Sequence, residues 1–356
     1  MKHAPLLLIV VLFLLTGCDK EPDIVTPPVP LNKIAIEPEF VPQFEKCLWF
    51  DDKSAAYTIG FDDARPTHYQ VSGPALTARN MRGTFFINTQ YIVDWSGWQM
   101  LADKGHEIAS HTYSHPKLTG LTETQQREEL SRAITDIVSH IQGIKEVPSF
   151  SYPYGNYNDQ VRNLIRSYHY SARGDSGINR PTLRDDELTM VRGAGVYPPF
   201  DMGDIERRVE RAIANRGWLM VYFHSVSAKG DSDYTTIPLT KYLAHLDYVQ
   251  RRRDCLWIAT MGEVTGYLRL RRDAEVRVET VDSTEIEFSL GGLQGRYSDL
   301  APLTVKMKLP QQWRGHEIVL TREGSKALIA PRRSDDMIYI HIPLGGKVRL
   351  AATGSR

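Results

Sequence analysis

The pattern of apolar and polar positions divides the chain into three stretches. Leu6 to Leu15 is an unbroken apolar run. From about residue 55, short apolar runs alternate with amphipathic stretches. The runs Ala55–Phe61, Gly83–Ile87, Glu107–Ser110, Ser149–Tyr152, Tyr170–Arg173, Met190–Gly195, Leu219–Phe223 and Leu256–Thr260 suit strands. Helical spacing falls between them, over Pro74–Met81, Ser96–Lys104, Thr122 to about Gln142, Asn158–Tyr168, Asp204–Gly217, Leu239–Arg253 and Gly262–Arg272. Thr122, with Gln125 three residues on, suits a capping box at the start of the longest of these helices.

Strands alternating with helices argue for βαβ units and a parallel sheet. Some seven such units favour a barrel over an open doubly wound sheet. No glycine-rich loop follows the first strand, where Gly60 stands alone, so the dinucleotide-binding version of such a fold is disfavoured. At about residue 273 the period drops to two. Glu275–Val281, Thr284–Leu290, Leu303–Leu309, His316–Leu320, Lys326–Ala330, Met337–Ile342 and Lys347–Leu350 alternate apolar and polar residues, as a small β-sandwich does. The expected architecture is α/β: a distorted (β/α)7 barrel over residues 46–272, then a small all-β domain over residues 273–356.

The N-terminal run follows the basic start Met1-Lys2-His3 and is too short to span a bilayer comfortably, but it suits a signal-peptide core. Leu15-Thr16-Gly17-Cys18 resembles the lipobox of bacterial lipoproteins. That resemblance implies removal of residues 1–17 and lipidation of Cys18. Pro22, Pro27, Pro28, Pro30, Pro38 and Pro42 then suit a stiff, extended linker over residues 18–45. The expected location is the cell envelope, with folded domains outside the cytoplasm and membrane contact through the lipid anchor only. Cys47 and Cys255 can pair in an oxidising compartment, or remain two buried thiols. Composition adds little: 43 basic and 43 acidic residues cancel, and no charge excess points to nucleic acid.

The chemistry sits at strand ends. Tyr57-Thr58-Ile59-Gly60-Phe61 runs into Asp62 and Asp63. Adjacent acids also suit a solvated turn, and they repel one another unless a cation or a shared proton offsets the repulsion. His111 and His115 are four apart just past the third strand, a spacing that converges two imidazoles on one ion from a helical turn or a tight loop. Asp62, Asp63, His111, Tyr154 and His224 all fall at the carboxyl ends of expected strands, the active face of an α/β barrel. Two imidazoles and a carboxylate can hold a divalent ion whose Lewis acidity makes water nucleophilic at neutral pH. A second carboxylate can take a proton and a facing imidazole can give one.

These residues resemble the polysaccharide deacetylases of carbohydrate esterase family 4, with their NodB-like domain. The resemblance rests on Thr58 to Asp63, on the His-(Ser/Thr)-x-x-His pattern of His111 to His115, in part on Ser151-Tyr152-Pro153-Tyr154-Gly155, and on the apolar strand Leu219 to His224. It implies Asp62 as general base, Asp63, His111 and His115 as metal ligands, and His224 as general acid. It also implies the Tyr154 backbone N–H as oxyanion donor, and zinc as the usual ion, with cobalt or nickel accepted. The implied activity is metal-dependent hydrolysis of acetyl groups from an extracytoplasmic polysaccharide, most often N-acetylglucosamine in peptidoglycan or a related polymer. A xylan-type O-acetyl esterase and a non-catalytic glycan-binding lipoprotein are the alternatives.

Ser151 stands where many members carry an arginine that orients the aspartate, and Arg173 is the expected replacement from its own strand. The family's fourth motif is not cleanly present. Its nearest counterpart ends in Asp175, a candidate partner for His224. Trp95 and Trp98 near the mouth suit either sugar stacking or core packing, and His68 either lines the cleft or packs behind it.

Overall fold

A computed structural model describes residues 33–199, 201–228, 235–291, 301–322, 332–334, 336–345 and 347–354. The signal segment 1–17, Cys18 and the linker as far as residue 32 lie outside the described residues. Among the described residues, no helix is long and apolar enough to cross a membrane.

The strands, in chain order, begin with β1 (Phe44–Lys46), β2 (Ala55–Phe61), β3 (Thr84–Ile87), β4 (Glu107–Ser110), β5 (Ser149–Ser151) and β6 (Ser171–Ser176). They continue with β7 (Val191–Gly195), β8 (Trp218–Phe223), β9 (Ser225–Ser227), β10 (Thr236–Pro238) and β11 (Leu256–Ile258). Strands β2 to β8 run parallel in sequence order, and β8 returns to β2 from Ala56 beside Trp218 to Phe61 beside Phe223. This pairing closes a seven-stranded barrel. Strand β11 joins the free lower edge of β2, from Ala55 to Tyr57, beneath the point where β3 pairs with Gly60 and Phe61. Helices α1 (Gly73–Thr77), α2 (Ser96–Asp103), α3 (Glu123–His140), α4 (Asp159–Ile165), α5 (Asp185–Leu188), α6 (Met202–Ala214), α7 (Leu239–Arg251) and α8 (Met261–Asp273) connect the strands or follow them.

Strand parity sorts the core into two shells. Ala55, Tyr57, Ile59 and Phe61 of β2 face outwards and pack with Leu76, Trp98, Ile137, Val209, Tyr242 and Val249 from the helices. The alternate positions face the lumen, where Ala56, Phe86, Ala109, Trp218 and Met220 cluster and Trp218 Nε1 donates to Thr58 Oγ1. A Cβ on Gly60 would come within 2.9 Å of Met220 Cε, so the narrow lumen accepts no larger residue there without a shift. The same parity carries Asp62 inwards over the lumen.

The capping box at Thr122 is present, with the Thr122 side chain accepting from Gln125 N and the Gln125 side chain accepting from Thr122 N. The stretch from Pro74 to Met81 differs from the helix expected there. A π-turn over His68–Ser72 leads into the short α1, because the chain must double back after the aspartate loop before it can reach β3.

After α8 come β12 (Glu275–Val281), β13 (Glu285–Gly291), β14 (Leu303–Lys308), β15 (Glu317–Arg322), β16 (Arg332–Ser334), β17 (Met337–Ile342) and β18 (Lys347–Thr353). They form two four-stranded antiparallel sheets, ordered β12-β13-β18-β15 and β1-β14-β17-β16. The strand expected over Lys326–Ala330 lies outside the described residues. Two boundaries move. Strand β1 pairs with β14 from Phe44 beside Met307 to Lys46 beside Val305, so the expected linker end at residue 45 falls inside a strand of the C-terminal sheet. Residues 34–37 are also not a free spacer: Ile34 N donates to Ala352 O, Ile36 N to Ser283 O, and Ile36 is buried. Backbone bonds and an apolar anchor hold this part of the proline-rich stretch against the sandwich. Among the described residues Cys47 and Cys255 are both unpaired, and burial, with Asp52 beside it, pushes the Cys47 thiol up to about 12.

Three buried histidines that do not touch the strand-end acids and histidines make stability depend on pH. Burial lowers His106, His169 and His245 from 6.5 to about 4 each, and Arg82 adds to the effect at His106. The Gly83 N–H donates to His106 Nδ1 at 3.0 Å, which requires that nitrogen to be unprotonated. The unfolded chain takes up these protons near 6.5, whereas the folded chain waits until about 4. Stability therefore falls as pH falls through that window, by about 2 kcal/mol per imidazole between pH 7 and 5. Burial raises Glu107 and Glu263 above 4.5, and these act in the opposite sense, gaining folded-state protons as pH falls. Urea denaturation at the two pH values should show a net loss at pH 5. Equal stability at both would mean that the imidazoles do not outweigh the two glutamates.

Candidate active site

Five barrel strands supply the site. Asp62 and Asp63 follow β2, His111 and His115 follow β4, Tyr154 follows β5, Arg173 lies within β6, and His224 follows β8. Asp62, Asp63, His111, His115, Tyr154, Arg173 and His224 all line one cleft of about 480 Å³ at the carboxyl end of the barrel.

The loops that carry them bend sharply. Asp63, Thr112, His115 and Tyr154 have φ of 78°, 69°, 62° and 59°, left-handed conformations that cost non-glycine residues about 1–3 kcal/mol each. The surroundings hold them in place. Tyr113 N donates to Glu129 O, the Ser114 N–H and hydroxyl both donate to the Glu129 carboxylate, and His115 N donates to Thr112 Oγ1. Helix α3 thus buttresses the histidine loop. The turn after Asp62 directs Asp63 away from the lumen, so the two acids diverge.

Asp63, His111 and His115 form a triangle. His111 Nε2 and His115 Nε2 are 3.1 Å apart, and Asp63 Oδ1 lies 3.6 Å from the first and 3.4 Å from the second. Donors bound tetrahedrally to zinc at their usual bond lengths stand about 3.4 Å apart, so this donor set fits a divalent ion. The Ser151 carbonyl lies 2.7 Å from His111 Nδ1, which carries that ring's proton and leaves the Nε2 lone pair towards the triangle. Burial holds His111 neutral, lowering it to about 4.

Asp62 is 3% exposed and Arg173 is 5% exposed. Arg173 Nη2 donates to Asp62 Oδ2 and also to Ser151 Oγ. Burial pushes the Asp62 carboxyl up, but Arg173, His111 and His224 more than offset it, leaving the group below the usual carboxylate range. Its other oxygen, Oδ1, is buried with no hydrogen-bond partner. His224 Nε2 stands 4.0 Å from Asp63 Oδ2, and His224 Nδ1 has no partner.

Asp175 does not serve His224. It faces Arg192 at 3.4 Å, half exposed at the cleft edge, because β6 bulges between Arg173 and Asp175. His68 packs behind the site, with Nε2 2.8 Å from the His224 carbonyl, and burial lowers it to about 4. Trp98 is buried among Phe85, His68 and Tyr69, and Trp95 stacks on His140, so both pack. Two tyrosines outside the expected set join the cleft. The Tyr197 ring lies 5.3 Å from the His224 ring, and the Tyr222 ring lies under Arg173. Only parity on β8, which turns Tyr222 inwards two residues before His224, could have shown the second.

Residues 50–172 match the model of the family described as Polysaccharide deacetylase, a span that takes in Asp62, Asp63, His111, His115 and Tyr154. The chain is 24% identical over 291 residues to a gellan lyase of Bacillus sp., covering 76% of this chain and 12% of that protein. It is 25% identical over 152 residues to chitin deacetylase 2 of Cryptococcus neoformans var. neoformans, covering 38% of this chain and 32% of that protein. The chain thus spans less than half the length of either relative. A family 4 carbohydrate esterase from Streptomyces lividans, solved with acetate, superposes with a TM-score of 0.41 at 20% identity, over 57% of this chain and 91% of that one.

Proposed function

Taking residues 50–172 as a polysaccharide deacetylase domain, we propose that this chain hydrolyses acetyl groups on an extracytoplasmic glycan, with N-acetylglucosamine units of peptidoglycan or a related polymer as substrate. The observation that carries the reading is the divided environment of the two acids. Asp63 belongs to a donor triangle sized for a divalent ion, whereas Asp62, on the cleft wall, has one oxygen held by Arg173 and the other buried without a hydrogen-bond partner among the described residues.

Asp63, His111 and His115 hold the ion, with zinc the first expectation and cobalt or nickel accepted. When bound, it supplies Lewis acidity and makes water nucleophilic at neutral pH. Arg173 keeps Asp62 ionised and turned so that Oδ1 accepts the proton of the attacking water. The water oxygen bonds to the acetyl carbon while the Tyr154 backbone N–H donates to the developing oxyanion, a contribution of about 2.7–4 kcal/mol for donors of this kind. His224 protonates the departing nitrogen as the C–N bond breaks, and acetate and a free amine result. The same residues serve an O-acetyl ester, with oxygen as the leaving atom. Cys18, where lipidated, would tether the chain to the cell envelope.

Acetate release from chitooligosaccharides and from acetylated xylan, with chelator and after zinc or cobalt reconstitution, tests the reading. Release that chelator abolishes and metal restores is expected. No release from any acetylated glycan after reconstitution would leave the non-catalytic glycan-binding lipoprotein as the better account.

A further inference from the structure

Arg173 is a buried cation whose hydrogen bonds converge on one atom. Nη2 donates to both Asp62 Oδ2 and Ser151 Oγ, and Nε has no partner among the described residues. The two in-plane N–H bonds of that nitrogen anchor one end of the guanidinium on Asp62 and Ser151, and leave the Nε end to be held by packing. Tyr222 supplies that packing. Arg173 Cζ lies 3.7 Å from the centre of the Tyr222 ring, with the Phe86 ring farther off at 5.6 Å. Parity explains the meeting: Tyr222 of β8 shares the lumen-facing register of Trp218 and Met220, as Arg173 of β6 shares that of Ser171.

Strand β7, which lies between β6 and β8, leaves room for the pair. A Cβ on Gly193 would come within 2.8 Å of Arg173 Cδ and 3.2 Å of a Tyr222 ring carbon, and one on Gly195 within 2.8 Å of the Tyr222 hydroxyl. A desolvated guanidinium on an aromatic face is held by the ring quadrupole, which no aliphatic side chain can supply.

We infer that Tyr222 is a positioning residue: its ring face sets the Arg173 plane, which fixes Asp62 through Oδ2 and presents Oδ1 to the cleft. This rests on the deacetylase reading above. The ring performs this role, because the hydroxyl points elsewhere, 3.4 Å from the Tyr197 hydroxyl.

The test compares Tyr222→Phe, Tyr222→Leu and Gly193→Ala in the metal-reconstituted full chain, by steady-state acetate release, zinc content and urea denaturation. Tyr222→Phe keeps the ring and should hold kcat within about threefold of wild type. Tyr222→Leu should lower kcat by about tenfold or more, with KM changed less and zinc content unaltered. Gly193→Ala, pressing on Arg173 from β7, should give the same kcat-selective loss. Wild-type kcat in Tyr222→Leu, a loss in Tyr222→Phe as large as in Tyr222→Leu, or a loss confined to KM would each overturn the inference. If the wild type releases no acetate at all, the deacetylase reading fails, and a stability double-mutant cycle between Arg173→Ala and Tyr222→Leu still decides the positioning. Non-additive losses support it, and additive losses overturn it.

Discussion

Asp63→Ala should lose the divalent ion, while Asp62→Asn should keep it, and both should lose turnover. Removing one of three donors costs more than the 10- to 100-fold in affinity typical of losing a group that only orients a ligand, so binding should weaken by at least about 100-fold. Asp62 touches none of the triangle's donor atoms at ligand distance, so its amide variant leaves the triangle whole. The Asp62→Asn amide would keep its oxygen on Arg173, the only arrangement that guanidinium accepts, and so turn its NH2 to the cleft. An acceptor becomes a donor, and the loss should match that of a general base, about 10²- to 10⁴-fold in kcat. Elemental analysis and titration calorimetry with zinc read the first effect without any assay, and kinetics on the reconstituted protein read the second. Retention of both metal and activity in both variants would remove the basis for the site, and loss of zinc from Asp62→Asn would show the roles of the two acids to be wrongly divided.

Much of the barrel was legible because its strands are buried on both faces. Strand β2 spans Ala55–Phe61 with every residue buried, and a continuous apolar run reads clearly when both faces are covered. The aspartates and histidines were legible for a related reason: a parallel barrel places the ends of its strands together, so polar residues that end separate apolar runs meet. Arg173 was expected because Ser151 stands where the resemblance implies an arginine, and Ser151 and Arg173 pair across β5 and β6. A small serine where a guanidinium was expected leaves space that the neighbouring strand fills.

What sequence pattern missed depends on distant partners or on backbone conformation. Phe44–Lys46 is three residues with no period of its own, and it becomes a strand only because β14, far along the chain, offers an edge. Of the left-handed Asp63, Thr112, His115 and Tyr154, the threonine and the tyrosine are residue types that give no hint of positive φ, and packing and loop hydrogen bonds impose it. Asp175 was the nearest counterpart of the family's fourth motif, but β6 bulges between Arg173 and Asp175 and carries the carboxylate outwards to Arg192. Tyr222 was passed over because an aromatic in an apolar strand reads as core.

Arg173→Ala should cost both stability and turnover while leaving zinc in place. Asp62 and Arg173 are a buried ion pair, and removing one partner strands the other charge, a loss of about 3–5 kcal/mol. The loss arises from the uncompensated carboxylate, so it should shrink in the double variant Asp62→Asn with Arg173→Ala, where no buried charge remains. In the single variant the carboxylate can relieve its burial only by taking a proton or rotating towards solvent. Either change spoils Oδ1 as a proton acceptor, and kcat should fall by about 100-fold or more. Arg173→Lys should restore little, because an ammonium has no planar face to lie on the Tyr222 ring. Urea denaturation of the wild type and the single and double variants, with zinc analysis and kinetics on each, separates these effects. Full turnover with full zinc in Arg173→Ala would show that Asp62 needs no arginine from β6, and equal instability of the single and double variants would show that the stranded charge is not what Arg173 relieves.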